Sequence, residues 1–283
     1  MLLRAFAKIN LDLRILGLRD DGYHEVRTIL QTIDWSDEIH MELADRFEFA
    51  ALGVPDDDSN LVVRAVRAYE NVSGIKANVR IQLVKNIPAG RGLGGGSADA
   101  AVTMMGLQRL YKLLLDRDRV FEALRGLGSD VPFFAVGGQA AGFGRGDEVA
   151  GLEECSDSWL VLVDPAIEIA TRDAYSWLTV PAQSNSIEGF RDEDVPGCGA
   201  EHPRNDFEGP VFERYPVLAE IKRELQELGA YHASLSGSGS AVYGQFQMVS
   251  EAVRAGSALN ARFRTKVTKA LPRWEYFQRM VEE

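Results

Sequence analysis

The sequence predicts an α+β protein of two domains, on three observations. The first half reads as strands with a glycine-dense turn set between an alternating strand and a helix-forming run. A polar, acidic stretch (Glu153, Glu154, Ser156, Asp157, Ser158) marks a boundary near 150–157. Beyond it the order is strand, short helix, loop, long helix, strand, strand, helix, strand. If 181–205 is an insertion, that order is βαββαβ, the ferredoxin-like arrangement. With 283 residues, 46% of them hydrophobic, the chain can fill two ordinary cores. The domains are expected over 1–152 and 153–283.

Each element has its own signal. Residues 2–17 alternate, with a long apolar stretch from Ile9 to Leu16, and predict a strand. Asp20-Asp21-Gly22 is a turn signal. Strands are expected over 26–34 and 38–43, with Asp37 near the corner between them. Asn60 is placed to cap a helix whose apolar residues are Leu61, Val62, Ala65, Val66 and Tyr69. Residues 77–84 alternate as a strand that runs through Ile87-Pro88 into the glycines. Ala98 to Tyr111 follows as a helix, with Ala100, Met104, Leu107, Leu110 and Leu114 as its core stripe. A helix over 118–126 ends at Gly126-Leu127-Gly128. Past the boundary, Trp159 to Val163, 232–235, 241–246 and 263–270 read as strands, and 210–228 and 249–259 as helices. Residues 181–205, polar and rich in glycine and proline, predict a mobile surface loop.

The glycine turn is the most informative segment. Five of the seven residues from Gly90 to Gly96 are glycine, and Ser97 follows. Glycine admits backbone angles that let successive N–H groups converge. A helix starting immediately afterwards adds unpaired donors and the positive end of its dipole. Together they cradle an anion, usually a phosphate. No Gly-Lys-Ser/Thr closes the loop as in a Walker A motif, and the glycines are too dense for a dinucleotide fingerprint. The plain alternative is a tightly packed turn.

Other pieces are weaker alone. Ser236-Gly237-Ser238-Gly239-Ser240 joins two expected strands; it either faces the first loop across a phosphate chain or is an ordinary hairpin connection. Lys8 lies among Phe6, Ala7 and Ile9 and either reaches solvent or is held by a carboxylate. Asp130, ahead of Val131-Pro132-Phe133-Phe134, is either a cap or a site residue. Tyr23 and His24 leave a tight turn, where side chains often meet ligands. A phosphate cradle, a lysine and a partly shielded aspartate are what a small-molecule kinase needs.

Charge and composition narrow the partners. A net charge of −11 argues against nucleic acid or an anionic membrane surface. An anionic substrate must then be held by local donors against the global field. Cys155 and Cys198 fit no metal motif and no disulfide framework, and His40, His202 and His232 show no metal spacing. The start of the chain has no signal-peptide pattern and no run of 18 apolar residues occurs, so a cytoplasmic protein with small-molecule partners is expected.

The motifs in their order resemble the GHMP kinases, the group of galactokinase, homoserine kinase, mevalonate kinase and phosphomevalonate kinase. The resemblance rests on Ala5 to Leu11, Asp21 to Glu25, Ile87 to Ala101 and Gly128 to Phe134, supported by Asn205-Asp206-Phe207-Glu208 and Ser236 to Ala241. Lys8-Ile9-Asn10 with Gly22-Tyr23-His24 is similar to the branch that phosphorylates cytidyl-erythritol substrates in the non-mevalonate isoprenoid pathway. The resemblance implies an N-terminal ATP-binding domain, a C-terminal ferredoxin-like domain and an active site in the cleft between them. ATP is the implied co-substrate, with magnesium. By the same resemblance Asp130 is the catalytic base and Lys8 its partner. Asn60, Lys85, Pro88, Gly90, Gly92, Leu93, Gly94, Gly95, Gly96 and Ser97 hold the nucleotide. Asn10 and Thr171 lie near the erythritol or its phosphates, with Gly237, Ser238 and Gly239 also on the substrate side. Tyr23 and Tyr175 sandwich the cytosine and His24 meets its edge. No protein metal ligand is implied. Arg91 stands where a small residue is expected, and either adds a phosphate contact or projects to solvent. Ala98 stands where a second serine is frequent. Another GHMP small-molecule kinase, or a non-catalytic sensor on the same fold, is the alternative; the Tyr23-His24 pair argues against the first, and intact Lys8 and Asp130 against the second.

Overall fold

A computed structural model of the chain describes residues 1–154, 158–179 and 203–282. In the first half, β1 (Leu2–Leu18), β2 (His24–Leu43), β3 (Glu48–Leu52), α1 (Leu61–Ser73), β4 (Val79–Val84), α2 (Gly95–Leu110) and α3 (Arg117–Leu127) follow in order. A short 3-10 turn (Pro132–Ala135), β5 (Gln139–Phe143) and β6 (Glu148–Gly151) complete it. The second half holds β7 (Trp159–Asp164), α4 (Thr171–Ser176), α5 (Glu208–Arg214), α6 (Pro216–Glu227), β8 (His232–Leu235) and β9 (Val242–Phe246). α7 (Val249–Leu259), β10 (Arg264–Lys269), α8 (Arg273–Met280) and β11 (Val281–Glu282) end it.

Two sheets result. The first runs β11-β1-β2-β4-β3, and β5 and β6 extend it from the other end of β2. The second runs β10-β7-β9-β8, antiparallel throughout, the order that a βαββαβ chain makes with α6 and α7 against it. Strand β7 explains how the sheets meet. Its side chains alternate across the strand: Val161 and Val163 pack with Leu218, Ile221 and Ala255 of the helices. Leu160 and Leu162 pack with Ala7, Ile9, Ile33 and Trp35 of the first sheet. Burial on both faces is why this strand reads as an unbroken apolar run. On its other face the first sheet carries α1 and α2 through Val62, Val66, Met104 and Leu107.

Three expectations change. The strands expected at 26–34 and 38–43 are one strand, because Asp37 does not turn the chain. Its buried carboxylate accepts from the backbone N–H groups of Asn86 (2.6 Å) and Ile87 (2.8 Å). The helix expected at 210–228 breaks at Tyr215, since Pro216 has no N–H to continue it and serves as the first residue of α6. Leu114 is not core; α2 ends at Leu110, Lys112 turns the chain at φ 52, and Leu114 is 96% exposed. We propose the partition at 152/153 as the domain boundary, with the tail after β10 packing on the first half. Leu271 N–H donates to Thr32, the buried Tyr276 hydroxyl donates to Phe134 carbonyl at 2.6 Å, and β11 pairs with β1. The loop expected at 181–205 lies almost wholly outside the described residues.

The glycine turn and the 236–240 turn meet where the sheets face each other. Ser236 Oγ donates to the Gly92 carbonyl at 2.9 Å. Gly90, Gly92 and Gly94 all have φ between 66° and 73°. At Gly92 an added Cβ would stand 1.9 Å from the Ser236 carbonyl oxygen. Gly92→Ala is therefore expected to cost about 2–4 kcal/mol, combining a left-handed alanine with a displaced backbone. A lower urea midpoint at unchanged m-value is the expected readout; a wild-type midpoint would show that the turns do not need this contact.

Candidate active site

The site is built around the glycine loop. Leu93 carbonyl accepts from the Lys8 N–H at 2.9 Å, which docks the loop on β1. Gly94, at φ 69, is the residue before α2 and offers no side-chain cap. The first N–H groups of α2 are thus left for a ligand, at the positive end of the helix dipole. A cavity of about 350 Å³ opens there. It is lined by Asn60, Lys85, Pro88, residues 90–97, Asp99, Asp130 and Thr171, so it gathers the whole expected nucleotide set with two acceptor-side residues.

At the cavity edge stands Lys8, only 3% exposed although charged. Its Nζ lies 3.2 Å from Asp130 Oδ2 and donates to Asn10 Oδ1 at 2.6 Å. Asn10 is fixed in turn by Thr28, which accepts from its Nδ2 at 2.8 Å. A register shift in the β1–β2 pairing between Phe6 and Lys8 bends the ladder here. Asp130 is 37% exposed and so reaches ligand space. The second turn closes this corner. A Cβ on Gly237 would lie 3.4 Å from Lys8 Nζ, and Ser238 Oγ donates to Thr171 Oγ1 at 3.3 Å.

Two expected nucleotide residues have their polar ends committed to the protein. Asn60 caps α1, accepting from Val62 N–H at 2.9 Å, and donates to the Pro55 carbonyl. Lys85 Nζ donates to Asp37 Oδ2 (2.5 Å) and Asp99 Oδ2 (2.7 Å). Burial pulls the Lys85 amine down, but the two carboxylates outweigh it and hold it raised. Burial likewise pushes the Asp99 carboxyl up to about 7 against the attraction of Lys85, and its Oδ1 has no partner. The sequence marks Asp37 only as a corner residue and gives Asp99 no role. A lone acid in the run Ala98-Asp99-Ala100-Ala101-Val102 was the available signal, since an unpaired charge is rarely fully buried.

The aromatic residues gather beside this corner, in contact with one another. His24 lies against Tyr175, ring centroids 4.9 Å apart, and Tyr175 meets the edge of Phe207 at 4.9 Å. Burial holds His24 below its usual range, favouring the neutral imidazole. Burial first and the nearby Asp130 charge second push the Tyr175 phenol up to about 12. Tyr23 is 56% exposed, and the Arg145 guanidinium sits 4.9 Å from its ring centroid. Asp147 accepts two hydrogen bonds from that guanidinium and fixes it. Arg145 was missed because only the fold brings the β5–β6 turn to residues 23–26, through Val26 N–H donating to Gly144 carbonyl at 2.7 Å.

Comparison with known proteins agrees with this geometry. Residues 60–138 match the GHMP kinases N terminal domain and residues 196–265 the GHMP kinases C terminal domain. The chain belongs to the GHMP kinases, ATP-dependent small-molecule kinases. Within them it belongs to the family of 4-diphosphocytidyl-2-C-methyl-D-erythritol kinases. It is 43% identical over 255 residues to the enzyme of that name from Solibacter usitatus (strain Ellin6076), covering 87% of this chain and 81% of that one. With the one from Prosthecochloris aestuarii (strain DSM 271 / SK 413) it shares 39% over 279 residues, 94% and 96% of the two chains. A crystal structure of 4-(cytidine 5'-diphospho)-2C-methyl-D-erythritol kinase superposes with a TM-score of 0.80 at 33% identity, covering 95% of this chain and 99% of the other. Mevalonate kinase of Methanococcus jannaschii shares the fold, with a TM-score of 0.66 at 13% identity, covering 96% and 98%.

Among the described residues no helix is long and apolar enough to cross a membrane, and no group of three or more His, Cys, Asp or Glu is placed to hold a metal.

Asp99 carries a pH dependence that can be measured. Its ordinary value is 3.8, so between about pH 4 and 7 the unfolded chain releases a proton that the folded chain keeps. Stability from this group is greatest below that window and falls as pH rises through it. Asp99→Asn is expected to flatten this part of the urea-stability profile; an unchanged slope would mean that Asp99 is already ionised in the folded protein.

Proposed function

We propose that the protein transfers the γ-phosphoryl group of ATP to the 2-hydroxyl of 4-diphosphocytidyl-2-C-methyl-D-erythritol, a step in isoprenoid precursor biosynthesis. The observation that carries this reading is the Lys8–Asp130 pair, 3.2 Å apart at the edge of a cavity walled by glycine N–H groups. Asp130 accepts the hydroxyl proton as the oxygen forms its bond to the γ-phosphorus. The bond from that phosphorus to the β-bridging oxygen breaks, and ADP leaves. Lys8, aimed by Asn10, offsets charge on the transferring group. The loop donors and the N-terminus of α2 hold the phosphates. Ser97 and Asp130 line this same cavity. The Ser97 hydroxyl would contact a magnesium ion alongside the phosphates, leaving Asp130 free as the base, and the ion would neutralise phosphate charge.

On the acceptor side, Tyr23 offers an aromatic face backed by Arg145 for the cytosine. Neutral His24 both donates and accepts, as a base edge requires. Tyr175 closes the aromatic group, and its place against His24 means that the ring pair must part for a base to enter between Tyr23 and Tyr175. Thr171 and Ser238 meet where the erythritol phosphates would lie. The same reading takes small molecules as the partners, without nucleic acid or membrane, and the cytoplasm as the location.

Release of ADP from ATP in the presence of the cytidyl-erythritol substrate tests the activity, with mevalonate and homoserine as controls; turnover of a control and not of the cytidyl compound would overturn it. Asp130→Asn should lower kcat by about 10²–10⁴ while leaving substrate affinity nearly unchanged. Turnover within threefold of wild type would remove Asp130 from the base role. Tyr23→Ala should raise the KM for the cytidyl substrate by about one to two decades, since base stacking contributes roughly 1–3 kcal/mol. The KM for ATP should stay nearly constant, and a change confined to ATP would mean that the two ends of the cleft are reversed.

A further inference from the structure

Arg91 sits inside the glycine loop, between Gly90 at φ 66 and Gly92 at φ 73. It occupies a position where the family resemblance leads one to expect a small side chain. It does not project to solvent, and although it is part of the cavity wall its Nε and Nη1 are held by the protein. The side chain is 14% exposed, and its Nε donates to Asp164 Oδ1 at 2.8 Å. Its Nη1 donates to the Gly90 carbonyl at 3.3 Å. Asp164, 9% exposed at the side chain, ends β7 in the second sheet, and the same oxygen accepts from Ala166 N–H at 2.9 Å.

The pair has two further contacts beside it. Arg91 carbonyl accepts from Ala241 N–H at 3.2 Å, and Gly92 carbonyl accepts from Ser236 Oγ at 2.9 Å. The first half of the loop is thus held by the second sheet, whereas Leu93 is held by β1 through Lys8. Glycines have no side chains with which to fix their own conformation, and ordering them is costly in entropy. Arg91 is the one non-glycine residue of the loop whose side chain reaches across to the second sheet with a charge.

We propose that Arg91 is a positioning residue for the triphosphate, acting through Asp164 to fix the loop so that its N–H donors converge before ATP arrives. This rests on the reading of the loop as the ATP cradle. Pre-ordered donors bind an anion more tightly than donors that binding must itself order. The alternative, in which Arg91 leaves Asp164 and contacts a phosphate directly, makes the opposite demand of Asp164. A tether needs the acid, while a phosphate ligand is held back by it.

Titration calorimetry of the full chain with magnesium-ATP separates the two, because the readout is affinity and needs no turnover. Asp164→Asn and Arg91→Met should each weaken ATP by about two- to thirtyfold, the range of a coupled positioning contact. Affinity for the cytidyl substrate should stay near wild type, a split that general loss of structure would not produce. Because Arg91→Met leaves a carboxylate unpaired in a nearly buried place, the double variant Arg91→Met/Asp164→Asn is measured too. It should fold with a single cooperative transition and weaken ATP no more than the worse single change. If Asp164→Asn leaves ATP affinity unchanged or tightens it, the tether is overturned. Wild-type protein that binds ATP but releases no ADP would instead sink the proposed activity and leave the tether to be judged on affinity. Wild-type protein that binds no ATP would sink both.

Discussion

A loop made mostly of glycine has to be held in shape from outside, and much of this structure is arranged to hold residues 90–97. Gly90, Gly92 and Gly94 take left-handed angles that cost other residues energy, and the loop backbone must leave donors facing a ligand rather than spend them on itself. The restraint comes from three directions. Asp37 on β2 holds the chain at Asn86 and Ile87, just before the loop. Lys8 on β1 holds the loop's middle by donating its backbone N–H to the Leu93 carbonyl, and the second sheet grips Arg91 and Gly92. The two sheets must therefore pack closely, and the shared apolar layer of Ile9, Ile33, Leu160 and Leu162 is what brings them together. The Lys8–Asp130 pair inherits its geometry from this packing, since the strand that positions Lys8 also docks the loop.

Electrostatics around the site follow one pattern. Lys8 faces Asp130, Lys85 faces Asp37 and Asp99, Arg91 faces Asp164, and Arg145 faces Asp147. In a chain of net charge −11, each of these cations is already engaged by an acid. The buried pairs among them, Lys85 with Asp37 and Asp99 and Arg91 with Asp164, add little net stability compared with apolar packing, but their geometry is demanding, and breaking one leaves an uncompensated charge. They act here as fixed struts. On the proposed reading, attraction for a phosphate chain then falls chiefly to backbone N–H groups and the N-terminus of α2, which has no side-chain cap to compete with the ligand.

Much of the fold was legible because it is local. Strand alternation, the Asn60 cap and the ferredoxin-like order all depend on residues near one another, and the structure reproduces them. The failures share a different cause. The sequence does not mark β3, β5, β6, α8 and β11: they are short or weakly patterned and are defined by contacts with distant segments, the strands by pairing and α8 by contacts such as Tyr276 with Phe134. Asp37 reads as a corner because a carboxylate in a strand usually ends at solvent, whereas here the chain after β4 supplies donors for it. Leu114 fits a helical period that stops four residues earlier.

The sequence by itself determined the chemistry of the site: glycines that leave N–H groups open, a lysine and an aspartate of the right kinds, and aromatic residues leaving a turn. It could do so because residue type decides what a group can donate, accept or stack upon. Only the tertiary structure decided the pairings. That Lys85 is locked between two acids, that Arg91 reaches Asp164, that Arg145 backs Tyr23 and that His24 rests on Tyr175 are all contacts between segments far apart in the chain. Hydrogen bonds and ion pairs act over a few ångströms, and which groups come that close is set by how the sheets and helices pack, not by any spacing along the sequence.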